Sequence, residues 1–395
     1  MINKDFTVEI ACSQVNKHGQ EVCGDVFLSR KIKEENRVIT VLSDGLGSGV
    51  KANVLAMLTA AMGLNFTIER YPMRQTARTI LDTLPVDKDR KISYATFTIA
   101  DIDADGTTRL AEFDNPASML IRGQQVKELE NRKEVFHSHQ DLNREIVTSG
   151  FAAMRGDRLI MISDGISQSG IGTARYPFGW GRRNTAEWIC SFLEEDPSVS
   201  ASVLAARITA QAMSNDVYKA KDDISCVVIY YRKPRKLLVC SGPPFHSSQD
   251  ERLAGLIKNF DGQKVICGGT TANIISRELG LKVSVGIDGI MGELPPVSQM
   301  EGIDLVTEGV LTMGRVTRLL EEGVTANDKG SDAASRLVRL LLNNDLIMLM
   351  AGTRINQAHQ DPALPVELEI RRNLVKKIKW LLEEKYLKEV HLDFI

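Results

Sequence analysis

Apolar positions follow two regimes along the chain. In the first half, short runs such as FTVEIAC (6–12), VFLSR (26–30) and RVITVLS (37–43) are rich in β-branched residues and partly alternate, as strands do. GVKANVLAMLTAAMGLNF (49–66) is small, apolar and free of proline, which predicts a helix starting just after a glycine-rich turn. Met73 to Leu84 predicts a second helix, ended by Pro85. KISYATFTIADID (91–103), TTRLAEF (107–113), SMLIR (118–122) and QVKELE (125–130) predict an antiparallel meander, with Asp105-Gly106 as the hairpin turn between the first two. RLIMISDG (158–165) reads as a strand ending in a polar turn, 198–215 as a helix, and DDISCVVIYY (222–231) as a buried strand. This order predicts an α+β sandwich of antiparallel sheets flanked by helices.

Near Pro234, inside the basic stretch RKPRK, the regime changes to alternating strands and helices. KLLVC (236–240), KVIC (264–267), LKVSV (281–285), IDLVT (303–307) and LIMLM (346–350) predict strands. Between and after them, helices are expected around 247–259, from about 270, from 310, near 354–360 and around 371–386. Such alternation predicts an open, largely parallel α/β sheet. The expectation is two domains, 1–234 and 235–395.

A length of 395 residues fits two domains, and 43% hydrophobic with 25% charged residues is the balance of a chain that buries a core. The formal charge of -2 gives no broad electrostatic reason to expect nucleic acid or an anionic membrane as partner. The first ten residues lack the apolar core of a secretory signal, and no apolar run is long enough to span a bilayer. A cytoplasmic location is therefore expected. Cys12, Cys23, Cys190, Cys226, Cys240 and Cys267 form no C-x-x-C pair and are read as reduced rather than as a zinc site or disulfide frame.

The candidate chemistry lies in aspartates at strand ends. Asp44-Gly45 and Asp164-Gly165 each end an apolar strand, Asp222-Asp223 begins one, and Asp25 stands at the lip of VFLSR. Carboxylates clustered on one edge of a sandwich would repel one another and raise each other's pKa. A divalent cation relieves that repulsion, and hard oxygen ligands suit Mg2+ or Mn2+. Two such ions can activate a water and neutralise a phosphoryl group. Against this, a single Asp-Gly is ordinarily a turn, the reading kept for Asp105-Gly106, Asp261-Gly262 and Asp288-Gly289. Two Ser-Asp-Gly strand ends plus an Asp-Asp strand start are harder to ascribe to coincident turns.

With these motifs in order, residues 1–232 resemble the PPM family, the metal-dependent Ser/Thr phosphatases of type 2C, and most of all its bacterial branch named for the stage II sporulation phosphatase. The matching segments are Asp25, VLSDGLGSGVKA (41–52), FDNPASMLI (113–121), RLIMISDGI (158–166) and KDDISCVVI (221–229). The resemblance implies an α-β-β-α sandwich and a phosphoserine or phosphothreonine substrate on a protein. It implies that Asp44 bridges two metals, Gly45 lends its carbonyl to one, Asp164 and Asp223 hold the other, and Asp25 acts on the ion shared by Asp44 and Gly45, directly or through water. Asp222 is read as a turn or outer residue. Two departures stand out. Leu46 occupies the place where the eukaryotic branch commonly has a histidine, and no arginine matches that branch's phosphate anchor, Arg30 being too far past Asp25.

The resemblance also suggests that residues 49–83, rich in small side chains (Ala52, Ala56, Ala60, Ala61, Gly63), could shift to assemble the metal site; a packed core helix is the plainer reading. The stretch 170–188 is read as a flap or a long turn, with Trp180 as a packing residue. No family is recognised in 235–395. Its candidate ligand loop is Gly268-Gly269-Thr270-Thr271, at a strand-to-helix turn of the kind that can hold an anion, although no phosphate-loop or dinucleotide fingerprint is present. Four uses are left open for this domain: a small-molecule pocket, a protein partner surface, dimerisation, or an enzymatic activity of its own. The functional expectation is a metal-dependent phosphoprotein phosphatase in bacterial signalling. The alternative is a pseudophosphatase that serves binding only.

Overall fold

Residues Ile224–Arg232 form a strand in which every position is buried, which requires cover on both faces of its sheet. The computed structural model describes residues 6–84, 95–137, 143–285, 297–324, 330–354, 364–386 and 388–395. The chain divides into two units, Met1–Lys233 and Pro234–Ile395.

In chain order the first unit has β1 (Thr7–Val15), β2 (Val26–Ile32), β3 (Arg37–Gly45), α1 (Gly49–Ile68), α2 (Met73–Thr83), β4 (Ala95–Ile102), β5 (Thr107–Phe113), β6 (Met119–Arg122), β7 (Gln125–Lys127), β8 (Arg132–His137), β9 (Asn143–Ala152), β10 (Arg158–Ile162), α3 (Asp164–Ser167), α4 (Gly181–Glu195), α5 (Ala201–Asn215) and β11 (Ile224–Arg232). One antiparallel sheet runs β1-β11-β10-β6-β7, the other β2-β3-β4-β5-β9-β8. Alternation along the strands makes four layers. Leu159, Met161, Val227, Ile229 and Tyr231 meet Val38, Leu42, Ala100, Ile102 and Leu110 between the sheets. Their neighbours Ile160, Ile162, Cys226 and Val228 turn outward onto Ile189, Leu204 and Ile208 of α4 and α5. On the far side Val41, Phe97 and Ile99 pack against Ala56, Ala60, Ile80 and Leu81 of α1 and α2. This is the α-β-β-α sandwich that the sequence implied.

Of the stretch 170–188, expected to be a flap or turn, residues 170–180 form a loop and 181–188 belong to α4, and Trp180 at the junction is buried in the outer core. Residues 132–152 hold two strands that the polar sequence hides, because β8 is an edge strand whose side chains include exposed Val135.

One buried ion pair fixes α1 over its sheet. Arg37, at the start of β3, is 1% exposed. Its guanidinium donates to both carboxyl oxygens of Asp101 on β4, at 2.6 and 2.9 Å. It also donates to the Thr67 carbonyl at the end of α1, at 2.7 Å.

The second unit has β12 (Lys236–Ser241), α6 (Asp250–Asn259), β13 (Gln263–Cys267), α7 (Gly269–Leu279), β14 (Val283–Val285), β15 (Ser298–Met300), β16 (Ile303–Thr307), α8 (Val310–Glu322), α9 (Ala333–Asn343), β17 (Leu346–Ala351), α10 (Leu364–Glu384) and β18 (Glu389–Phe394). The sheet order is β14-β15-β16-β13-β12-β17-β18. The five strands from β16 to β18 run parallel, and β14 and β15 add an antiparallel edge. Helices cover both faces: Leu237, Val239, Val265 and Leu349 face α8, α9 and α10, whereas Leu238, Cys240 and Ile266 face α6 and α7. α9, β15 and β18 add to the elements expected. The helix expected near 354–360 and the Asp288-Gly289 turn lie outside the described residues, apart from residue 354. All six cysteines are free, and no described helix is long and apolar enough to cross a membrane.

Replacing Asp101 with alanine would leave Arg37 buried without its main partner. Because Asp103 and Glu35 stand 3.8 and 3.6 Å from the guanidinium, the loss should fall at the low end for a broken buried pair, about 3 kcal/mol by urea denaturation. A loss under about 1 kcal/mol would show that the pair does not anchor α1.

Candidate metal-binding acidic site

Strand pairing brings four chain segments to one edge of the sandwich. In the β2–β3 pair Val26 stands opposite Ser43, so the chain entering β2 at Asp25 lies beside the chain leaving β3 at Asp44. In the β10–β11 pair Ile162 stands opposite Cys226, so Asp222 and Asp223, entering β11, lie beside Asp164, leaving β10. Gln14 on β1 joins the two edges. Its amide donates to the Asp25 carbonyl at 3.2 Å and to the Ser225 hydroxyl at 3.0 Å.

The glycines of the two Ser-Asp-Gly motifs permit close backbone approach. A methyl group on Gly165 would stand 2.1 Å from the carbonyl oxygen of Asp223, and one on Gly45 would stand 2.1 Å from the carbonyl oxygen of Ala52 in the first turn of α1. A methyl group on Gly24 would come within 2.8 Å of Asp223 Oδ2. The segments carrying Asp25, Asp44, Asp164 and Asp223 are therefore packed into one place.

The electrostatics match this packing. Asp25 is 2% exposed, and neither of its carboxyl oxygens has a hydrogen-bond partner. Burial pushes this carboxyl up to about 7; the nearby hydroxyls of Ser225 and Ser163 oppose the rise, and the charge of Asp223 adds to it. Asp44 lies well above the usual carboxylate range because of burial first, then the charges of Asp25, Asp164 and Asp222. Asp164 is raised by burial and then by Asp222, while Gln168 donates to its Oδ2 at 2.8 Å. Asp223 is buried, with Oδ1 accepting the Lys17 backbone N–H at 2.9 Å and Oδ2 unpartnered.

Asp222, read from sequence as a turn or outer residue, is the carboxylate whose charge reaches both Asp44 and Asp164. Its signal was the doubled aspartate, of which only the second was given a ligand role. Lys17 had no sequence signal, yet its ammonium pairs with Asp222 at 3.6 Å. Arg30 pairs across the sheet with Ile39, well along β2 from the acidic edge.

Five carboxylates, two of them (Asp25 and Asp223) with orphaned buried oxygens, suit hard divalent cations such as Mg2+ and Mn2+. Among the described residues, no three or more acidic, histidine or cysteine side chains stand in a finished ligand arrangement, so the fit is one of donor chemistry and burial.

In the second unit the predicted loop forms the turn between β13 and α7, with Gly268 at φ 121°. The Gly268 N–H donates to the Thr307 carbonyl at 2.8 Å. Thr271 is wholly buried, its hydroxyl has no partner, and that oxygen lies 3.6 Å from where a Gly268 side chain would begin.

An antiparallel four-layer sandwich with aspartates gathered at one edge defines a class of phosphatase-like domain. The chain belongs to the Stage II sporulation protein E (SpoIIE) family, whose signature matches residues 34–232, just over half of its length. Among curated proteins none matches significantly. Solved structures similar to the chain include the phosphatase domain of SpoIIE from Bacillus subtilis in a crystal form without domain swapping. It is 17% identical, covering 58% of this chain and 94% of that one, with a TM-score of 0.42. The PP2C phosphatase domain of B. subtilis SpoIIE with a fragment of its regulatory domain is 19% identical over 58% of this chain and 63% of that one, at a TM-score of 0.46. The S. agalactiae serine/threonine phosphatase is 13% identical over 57% and 100%, at 0.41. At these TM-scores none of the likenesses bears on activity, and the family assignment rests on the sequence match.

A carboxyl whose folded pKa is raised binds a proton that the unfolded chain has already released, so its ionisation opposes folding. For Asp25 the window runs from the ordinary 3.8 to about 7. Metal-free protein should therefore lose stability across that window as pH rises, by a few kcal/mol at about 1.4 kcal/mol per unit. Asp25→Asn should raise the metal-free melting temperature at pH 7 and leave it unchanged at pH 4; no gain at pH 7 would contradict the burial argument. Gly165→Ala should cost about 2 kcal/mol or more, because a backbone carbonyl must move. The same change should weaken Mn2+-induced stabilisation in a thermal melt, and an unaltered Mn2+ response would show that the Gly165–Asp223 approach does not shape the site.

Proposed function

We propose that the first unit is a protein serine/threonine phosphatase that works with two Mn2+ or Mg2+ ions. The observation that carries this reading is the convergence of Asp25, Asp44, Asp164, Asp222 and Asp223 on one sandwich edge, with buried, unpartnered carboxyl oxygens on Asp25 and Asp223. Membership of the SpoIIE family supports it. The ions, when bound, supply a water of lowered pKa and offset phosphoryl charge. Asp44, perturbed by Asp25, Asp164 and Asp222 together, would hold both ions, and the Gly45 carbonyl would assist it. Asp164 and the Asp222-Asp223 pair would hold one ion, and Asp25 the other. Hydrolysis joins the water oxygen to phosphorus and breaks the phosphorus–oxygen bond of the seryl or threonyl ester. The freed side-chain oxygen takes a proton, leaving an alcohol and inorganic phosphate. Leu46 cannot donate that proton, so solvent must.

The second unit is proposed to bind a small regulatory ligand at the carboxyl edge of its parallel strands, the usual place in such sheets. Support comes from the Gly268–Thr271 turn and the buried, unpartnered hydroxyl of Thr271.

Leu46 also supports a second reading, that of a catalytically silent binding module. An assay with Mn2+ on a phosphoserine peptide or p-nitrophenyl phosphate decides between them. Turnover is expected in the wild type, with Asp44→Asn slower by at least ~100-fold, beyond what loss of an outer partner usually causes. Equal turnover in Asp44→Asn would defeat the enzyme reading.

A further inference from the structure

We infer that the second unit binds a phosphoryl group, free or on a small ligand, between the starts of α7 and α8; this rests on the reading of that unit as a ligand-binding domain. The two helices follow neighbouring parallel strands, β13 and β16, and each has a glycine as its N-cap. Those glycines touch: a methyl group on Gly309 would stand 3.6 Å from the Gly268 Cα. The Gly268 N–H, donating to the Thr307 carbonyl at 2.8 Å, ties the two turns together. Neither glycine offers its helix a side-chain cap, and neither first turn holds an acidic residue. Two helix starts side by side present N–H groups without intrahelical partners and the positive ends of two dipoles, which favour an anion.

Buried hydroxyls at the same place point to an occupant. Thr271 and Thr312 hold the same position in their helices, three residues past the glycine. Helical side chains lean toward the N-terminus, so both lean toward the glycine contact. Both threonines are wholly buried, and neither hydroxyl has a partner. Their position in a helix does not force this. Thr59, Thr67, Thr185 and Thr317 each donate to the carbonyl four residues back. Ser241, at the end of β12, adds another buried hydroxyl without a partner, and it pairs in register with Cys267, the residue before Gly268. A buried donor left without an acceptor carries its full desolvation cost, and an oxyanion accepting from several donors removes it. A metal cation would be repelled by N–H groups and helix starts. Arg371 of α10 brings positive charge to the same edge, since a methyl group on Gly242 would stand 2.7 Å from its Nη1. The rival is Glu308, whose Oε2 accepts the Leu311 N–H at 3.1 Å. That carboxylate is the chain's own anion at the start of α8, and an entering phosphoryl group displaces it.

The test titrates the full chain calorimetrically with inorganic phosphate, AMP and adenosine, in EDTA so that ions at the first unit take no part. Phosphate and AMP should bind, and adenosine should bind at least about 10-fold more weakly than AMP. AMP binding tighter than phosphate would make a phosphorylated metabolite the source of the group, and equal binding would make it free phosphate; either sustains the inference. Thr271→Val and Thr312→Val keep the side-chain shape and remove the hydroxyl. Each should weaken phosphate binding by about 10-fold or more, and each should melt no lower than wild type without ligand, because only an unpartnered donor is lost. Glu308→Gln should tighten phosphate binding by removing the competing charge. Unchanged phosphate binding in both valine variants would overturn the inference, as would failure of phosphate and AMP to bind. A lower melting temperature in both valine variants would show that the protein itself satisfies the hydroxyls, and no tightening in Glu308→Gln would put the anion away from α8; each overturns it. Adenosine binding as tightly as AMP would also overturn it, yet would leave the second unit a ligand-binding domain. No binding by any of the three would remove, besides, the support that Thr271 gives to that reading.

Discussion

Mutual repulsion among carboxylates held out of water is the constraint around which the first unit is organised. An isolated buried carboxylate is costly, and several together would protonate or move apart unless a cation joins them. Here the chain gives them little room to separate. Asp25 and Asp44 flank one strand pair, Asp164 and Asp222-Asp223 flank another, and each pair is locked by a strand register, with β10 and β11 wholly buried behind the second. The raised carboxyls of Asp25, Asp44 and Asp164 record the strain of that arrangement.

The rest of the unit can be read as support for this edge. The four layers bury both faces of the central strands, so their ends are placed by packing on two sides. Gly45 lets the head of α1 close on the end of β3, and Gly165 lets the start of β11 close on the end of β10. Arg37 holds the other end of α1 through the Thr67 carbonyl. α1 is thus attached at both ends, one of them beside Asp44, which ties any movement of that helix to the geometry of the site.

Much of this was legible in the sequence, for identifiable reasons. Apolar runs stopping at aspartate marked β3 and β10, because a strand buried on both faces is nearly all apolar and its end is abrupt. Proline at 234 and the change to strand–helix alternation marked the second regime. What stayed hidden depended on contacts between distant residues. Lys17 lies in a polar loop with no pattern and gains meaning only from Asp222 and Asp223, more than 200 residues away. Asp222 was read as a turn or outer residue because sequence order cannot say which of two adjacent carboxylates lies nearer Asp44 and Asp164. The strands β8 and β18 were obscured by charged, half-exposed side chains, whose alternation is weak at a sheet edge.

Counting bound Mn2+ by calorimetric titration of the metal-free protein near pH 6.5, in buffers of different ionisation enthalpy, is the most direct test of the central claim. The account predicts two ions per chain, with protons released on binding, since Asp25 and its neighbours hold protons that a cation displaces. Absence of saturable binding, or identical binding by a chain in which both Asp44 and Asp164 are changed to asparagine, would contradict it.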